Sequence, residues 1–398
     1  MTIKARYRIA LISTPFLRTP PETYGGAERV VADLGSTLAK LGHDVTIFAA
    51  DGSNVQGCHI VKFGPPALET GIPINFFETE RRAYHVYKDM LQDFDIIHGH
   101  NWYGFHYLAK INNRKLKICQ TLHVEIRFKH LGDDLRSFYR YGDYKPFLND
   151  LLMRGLHARS NLNVIAISKF MTRVDKAIGY NSKWVHNGVD LDIYKYKQKK
   201  GDRLLFVGNI VPEKKSHLCI QVAKRLNMGL DIVGVIGKSI ATNHSYVDKI
   251  KKMCDGKQIR LYDEESQKLN PKLKIELMQN AKCLIFPSMY GEPFGLVPLE
   301  AMACGTPAVV FNDGALEEFV HEGGIVCDVL KEEITPKIYH CCKVTVKSDL
   351  LNALTSAVKR VDSIPPIRCL ENARRFSKER MAEHYIEMYD RILAGEKW

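Results

Sequence analysis

Two acids, Glu292 and Glu300, stand with seven residues between them in GEPFGLVPLEAMACGTP, residues 291–307. Leu299 to Cys304 reads as a short helix that Gly305 stops and that Pro307 keeps from continuing. AKCLIFPS (281–288) before it and PAVVF (307–311) after it read as buried strands. A strand, a tight loop and a helix start turn the backbone N–H groups of Phe294, Gly295 and Leu296 toward an anion. Glu292 sits in the loop and Glu300 one or two turns inside the helix. The arrangement suits a ligand with phosphate in its middle and hydroxyls at both ends, which is the form of a nucleotide sugar. Two glutamates at this spacing also occur in helices where both are structural or solvated, so the flanking words carry the weight.

Open α/β sheets bind ligands outside the carboxyl ends of their strands. In this chain those ends hold Gly25 and Gly26, His98 and His100, His123, and Asn209 with Lys214 and Lys215, besides Glu292. The turn Tyr24-Gly25-Gly26-Ala27-Glu28 leads into a helix start, where two glycines let a phosphate or sugar come close to the backbone. It is not G-x-G-x-x-G, so the dinucleotide fingerprint is absent. GVIGKS (234–239) ends like a phosphate loop but has Ile232 where that loop needs glycine; it reads as a second glycine-lined loop, with Lys238 near phosphate. Two D-x-D words, at Asp93–Asp95 and Asp190–Asp192, read as structural rather than metal-holding. His98 and His100 lack an identifiable third and fourth ligand. RFKHLGDDLRSFYRYGDYKPF (127–147) interleaves aromatic and basic residues, which suits either acceptor contact or a plain surface loop.

The elements that must position these residues follow from hydrophobic period. RYRIALIS (6–13) and DVTIFAA (44–50) flank a helix on which Val30, Val31, Leu34, Leu38 and Leu41 recur at helical spacing. That βαβ unit implies a parallel sheet. Further strands are FDIIHGH (94–100), LKICQTLH (116–123) and NVIAIS (163–168), with helices around 76–92, 104–112 and 146–158. The pattern restarts at DRLLFVGNI (202–210), followed by the helix HLCIQVAKRLN (217–227) and the strands LDIVGVIG (230–237) and IRLYD (259–263). The renewed alternation predicts two Rossmann-like, doubly wound α/β domains facing a cleft, 1–188 and 189–376. The boundary falls in the polar, turn-rich stretch 186–202. The last segment, 377–395, is an amphipathic helix.

At 398 residues the chain has room for two such domains, and 45% hydrophobic residues can fill both cores. No run approaches the roughly 18 apolar residues of a membrane span, and the N-terminus reads as a first strand rather than a signal peptide. The 10 cysteines are scattered without a C-x-x-C pair, which points to a reducing, cytoplasmic setting and away from a zinc site. The net charge of +12 comes without any recognition helix, RNA-binding motif or zinc finger, so no nucleic-acid partner is expected. It reads as a solvated surface or as attraction to an anionic membrane that carries the acceptor.

Taken with its flanks, PSMYGEPFGLVPLEAMACGTP (287–307) resembles the E-x7-E motif of glycosyltransferase family 4, whose fold is the two-domain GT-B. The resemblance spans almost the whole chain. PPETYGGAERVVADL resembles the family's first glycine loop, DIIHGH its D-x-x-H-x-H word, and FVGNIVPEKKSHL (206–218) its phosphate-clamping G-R-x-x-P-E-K-G. The resemblance implies a retaining, metal-independent transfer of a hexose-type sugar from a nucleotide diphosphate sugar to an acceptor hydroxyl of a lipid, a glycan or a small polyol, with no other cofactor. It also implies that the last helix crosses back to the first domain. By resemblance, His123 and Glu292 face the transferred sugar and Lys214 meets the departing diphosphate. Glu300 grips the ribose, and Gly25, Gly26, Asn209, Lys215, Lys238, Phe294, Gly295 and Leu296 complete the donor site. His98, His100 and Asn101 fall on the acceptor side. Two departures stand out: Asn209 replaces the expected arginine and Lys215 the usual glycine. A GT-B phosphorylase, a sugar-nucleotide epimerase and a non-catalytic sugar-nucleotide binder share the scaffold and stay open as alternatives.

Overall fold

The computed structural model describes residues 6–22, 25–70, 74–123, 163–177, 181–236, 243–263, 270–334 and 342–398. The predicted helix at 146–158, the aromatic–basic segment 127–147 and Lys238 lie outside these residues.

Two parallel sheets carry the chain. The first holds β1 (Arg8–Ile12), β2 (Asp44–Ala49), β3 (His59–Lys62), β4 (Ile96–Gly99), β5 (Ile118–Leu122), β6 (Asn163–Ala166) and β7 (Ser182–Trp184), in the order β3-β2-β1-β4-β5-β6-β7. The second holds β8 (Leu204–Val207), β9 (Leu230–Val233), β10 (Ile259–Tyr262), β11 (Cys283–Phe286), β12 (Ala308–Phe311) and β13 (Gly324–Cys327), in the order β10-β9-β8-β11-β12-β13. Every residue of β4, β6, β8, β9, β11 and β12 is buried, because helices cover both faces of each sheet. Strand order reverses between β1 and β4 in one sheet and between β8 and β11 in the other. A ligand crevice belongs at such switch points. An antiparallel hairpin, β14 (Leu330–Ile334) with β15 (Cys342–Val346), has no counterpart in the sequence-based expectations. The helix expected from Leu299 starts three residues earlier, at Leu296. Gly295, at φ +98°, opens it, and Pro298 is tolerated because first-turn N–H groups have no partner inside a helix.

The last helix, Lys378–Leu393, does cross back. Met381, Ala382, Tyr385, Ile386, Tyr389 and Ile392 are buried in one cluster with Leu11, Val31 and Leu34 of the first sheet's layer. The two passages between sheets lie side by side: Val189 N–H donates to Phe376 O at 2.9 Å, and Lys378 N–H to Val189 O at 3.0 Å. Lys378 Nζ closes the crossing on Asp190 at 2.6 Å. Asp95 pairs with Arg8 at 3.1 Å, so each D-x-D word has an aspartate in an ion pair.

The halves are also joined by packing. Phe170, Met171 and Val174 of the helix Lys169–Ala177, which follows β6, share a core with Phe294, Leu316 and Phe319 of the second half. Glu318 caps that helix from across the boundary, accepting from Lys169 N–H at 3.0 Å and Phe170 N–H at 2.6 Å. Its Oε2 also meets His186 at 2.8 Å. Burial acts to raise the Glu318 carboxyl, but the His186 and N–H contacts outweigh it and hold the group below its ordinary range.

A histidine cluster lies under the returning helix. His98 Nδ1 meets Tyr389 Oη at 2.7 Å and Nε2 meets Thr121 Oγ1 at 2.7 Å, while Tyr385 Oη reaches Thr121 at 3.0 Å. Beside it, the His106 ring fills the space a Cβ on Gly99 would take, 2.1 Å from His106 Cε1. Burial drives His106 down to about 3, so it is neutral in the fold and takes a proton near 6.5 when unfolded. Its contribution to stability is therefore present above pH 6.5 and is lost as pH falls toward 3. Between pH 7 and pH 5, urea unfolding should show wild type losing about 2 kcal/mol relative to His106→Leu. A pH-independent difference between the two would contradict a neutral, desolvated His106.

Candidate active site

A cleft of 440 Å³ runs between the switch points of the two sheets and is lined from both halves of the chain. Gly25, Gly26, Glu28, Trp102 and His123 come from the first half, and Asn209, Lys214, Lys274, Glu292 and Glu300 from the second. Phe294, Gly295 and Leu296 line it where the helix begins.

The loop that carries Glu292 is shaped by a residue far along the chain. Asp313, fully buried after β12, accepts from Gly291 N–H at 2.8 Å, Tyr290 N–H at 3.1 Å and Glu292 N–H at 3.2 Å. Burial pushes this carboxyl above its ordinary range, against the pull of the N–H bonds. The next residue must be glycine: at Gly314, φ +61°, a Cβ would lie 2.5 Å from the Glu292 nitrogen. From this loop Glu292 Oε2 reaches Lys214 Nζ at 2.6 Å and accepts from Ser288 Oγ at 3.3 Å. Lys214 also donates to Tyr290 Oη at 3.1 Å. Its ammonium lies 4.5 Å from the ring centres of both Phe286 and Tyr290, a cation held by two π faces.

Glu300, in the second turn of its helix, has its own cation. Tyr194 Oη donates to Oε1 at 2.6 Å and Lys274 Nζ pairs with Oε2 at 2.7 Å. Lys274 also donates to Tyr194 Oη at 3.2 Å. It stands on the helix Pro271–Asn280, which Asn270 caps and Pro271 opens. Neither Tyr194 nor Lys274 carries a local signal that would select it from the sequence; only the fold brings them to Glu300.

The remaining predicted residues divide. Gly25 lines the cleft at φ +140°, where a Cβ would lie 2.8 Å from Glu28 Oε2. Glu28 itself is buried, bonded to the Thr14 hydroxyl, and burial raises its carboxyl. His123 lines the cleft with Nε2 at 2.8 Å from His100 Nδ1, and burial lowers it to about 4. Lys215 keeps the left-handed backbone, φ 52°, that a glycine adopts without strain, but it is not among the lining residues. His98, His100 and Asn101 are not among them either. His98 is buried on Tyr389 and Thr121, His100 on His123, and Asn101 Nδ2 donates to Glu80 at 3.2 Å. The residue the loop does present is Trp102.

Comparison with known proteins fits this geometry. Residues 24–193 match the model of Glycosyltransferase Family 4, and residues 193–337 that of Glycosyl transferases group 1. The chain is a family 4-like glycosyltransferase of the GT-B fold. An uncharacterised glycosyltransferase of Methanocaldococcus jannaschii is 25% identical over 350 residues, 79% of this chain and 83% of its own. Sucrose-phosphate synthase of Thermosynechococcus elongatus superposes with a TM-score of 0.71 at 19% identity, covering 98% of this chain and 99% of its own. Anabaena HepE in complex with UDP-glucose does so with a TM-score of 0.66 at 15% identity, covering 97% and 100%. Among the described residues of this glycosyltransferase, no helix is long and apolar enough to cross a membrane.

Removing the Asp313 carboxylate strands three loop N–H groups, at a cost of roughly 3–5 kcal/mol. Asp313→Ala should therefore lower the urea midpoint strongly. Asp313→Asn, which keeps one acceptor oxygen, should fall between it and wild type. Equal stability of Asp313→Ala and wild type would mean that the loop is held by something else.

Proposed function

We propose that this enzyme transfers a hexose-type sugar from a nucleotide diphosphate sugar to an acceptor hydroxyl, retaining anomeric configuration and using no divalent metal. The carrying observation is a single cleft in which two buried carboxylates, Glu292 and Glu300, flank a helix start and each meets a lysine. The HepE complex with UDP-glucose supports a nucleotide-sugar donor.

On this reading Glu300 accepts from the ribose hydroxyls, steadied by Tyr194 and Lys274. The diphosphate lies at the N–H groups of residues 294–296 beside Lys214. As the bond from the anomeric carbon to the diphosphate oxygen breaks, negative charge grows on the leaving group, and fixed positive groups stabilise it. Lys214 and the helix start supply that potential without a metal. Glu292 bonds the hydroxyls of the sugar and orients it. The acceptor oxygen attacks the face from which the diphosphate leaves, and its proton passes to the departing phosphate oxygen. A histidine lowered to about 4, as His123 is, makes a weak general base, which favours the phosphate as proton acceptor. His123 then serves as a neutral hydrogen-bonding group beside the sugar.

A panel of UDP-, GDP- and ADP-sugars, read by thermal shift and by nucleoside diphosphate release, tests this. One donor should stabilise wild type selectively. Glu300→Ala should lose about tenfold or more in donor affinity, the worth of a charge-assisted hydrogen bond to ribose. Proton NMR of the product should show the donor's anomeric configuration. No stabilisation by any donor, or an inverted product, would overturn the reading.

A further inference from the structure

The first-half wall of the cleft is lined by Phe16, Leu17, Leu68 and Trp102, with Glu28 and His123 alongside. Trp102 is 42% exposed, whereas Phe16 and Phe294, which line the same cleft, are each 2% exposed. Its indole rests on a stack: the Phe76 ring lies 5.3 Å away at 23° and the Phe16 ring 4.9 Å away at 57°.

The backbone beneath is fixed at unusual cost. Glu80, 1% exposed, spends its carboxylate on Trp102 N–H at 2.7 Å, Tyr103 N–H at 2.8 Å and Asn101 Nδ2 at 3.2 Å. Gln120 Nε2 donates to Asn101 O at 2.8 Å. Burial raises the Glu80 carboxyl to about 7, against the pull of these hydrogen bonds. A rigid, supported aromatic face toward an active-site cleft is a preorganised contact surface.

We infer that Trp102 is the stacking platform for the acceptor, and that the acceptor presents a pyranose ring there. The inference rests on the transferase reading above. A pyranose has a face of C–H groups with partial positive charge, which suits the electron-rich face of an indole. Its rim hydroxyls suit a wall that also holds the Glu28 carboxyl and His123. An alkyl or prenyl chain offers no hydroxyl to that polar part of the wall. An acyclic polyol has no flat face to stack.

The test uses the full chain with whichever donor stabilises it. Acceptor probes are a set of methyl pyranosides and disaccharides, glycerol, and a prenyl phosphate in detergent micelles. The readout is nucleoside diphosphate release above donor hydrolysis. At least one pyranoside should accelerate release. Trp102→Ala should raise the KM for that pyranoside about tenfold, with a much smaller change in donor KM. Trp102→Phe should recover most of the loss, since it restores an aromatic face. The inference is overturned if no pyranoside accelerates release, if glycerol or prenyl phosphate is the better acceptor, or if Trp102→Ala leaves the pyranoside KM unchanged. Failure of wild type to bind any donor would instead remove the transferase reading, and this inference with it.

Discussion

A carboxylate taken out of water needs hydrogen-bond donors or a cation, and in this cleft Glu292 and Glu300 each take a cation. Glu292 and Glu300 are 7% and 6% exposed, and each meets a lysine within 2.7 Å. An unpaired buried charge costs several kcal/mol, so without its cation either acid would be driven toward its neutral form. Much of the surrounding structure serves those two pairs. Phe286 and Tyr290 receive the Lys214 ammonium, Asp313 shapes the loop under Glu292, and Tyr194 bridges Lys274 and Glu300. The helix start between the pairs adds partial positive charge without a side chain.

The two halves of the chain are not simply hinged around this cleft. The helix Lys169–Ala177 belongs to the first half in sequence, yet it packs into the core of the second and takes its cap from Glu318. Ser168, just before it, donates to Pro293 O at 2.7 Å, inside the loop that carries Glu292. The Glu292 loop is thus tied directly to a strand end of the opposite sheet. Relative motion is the default where an interdomain contact is small and polar; this contact has a hydrophobic centre. Opening about the crossings at Val189 and Ser377 would have to carry this helix with the second half or expose its apolar face.

How much was legible in advance depended on whether a residue's partner lay nearby in the chain. The segment 287–307 encodes its own strand, turn and helix, so Glu292, Glu300 and the N–H groups between them could be found by spacing. Asp313 lies 21 residues beyond Glu292 in an ordinary-looking NDGAL, and its target is backbone, which has no sequence signature. Lys274 and Tyr194 are 26 and 106 residues from Glu300, and only the packing of two helices and the turn that holds Tyr194 joins them. In HGHNWYG a loop at the cleft was visible but not the direction of its side chains. His98 and His100 turn inward beneath the last helix and Asn101 toward Glu80, which leaves Trp102 on the cleft. Register at a strand end decides that, and a one-residue change reverses which side chain faces the core.

Asn209 makes the charge balance of the site stricter. The basic side chains lining the described cleft are Arg29, Lys214 and Lys274, and the last two are paired with Glu292 and Glu300. A neutral amide stands where the family resemblance leads one to expect a further cation. On the proposed reading, a diphosphate that draws on Lys214 must compete with Glu292 for it. Taking the lysine leaves the carboxylate with Ser288 as its remaining side-chain donor, and a buried carboxylate in that state is costly. The hydroxyls of a correctly seated sugar repay that cost, because they donate where the ammonium did. Diphosphate binding and sugar orientation then become one event: Lys214 is drawn toward the leaving group only as Glu292 engages the sugar that will be transferred.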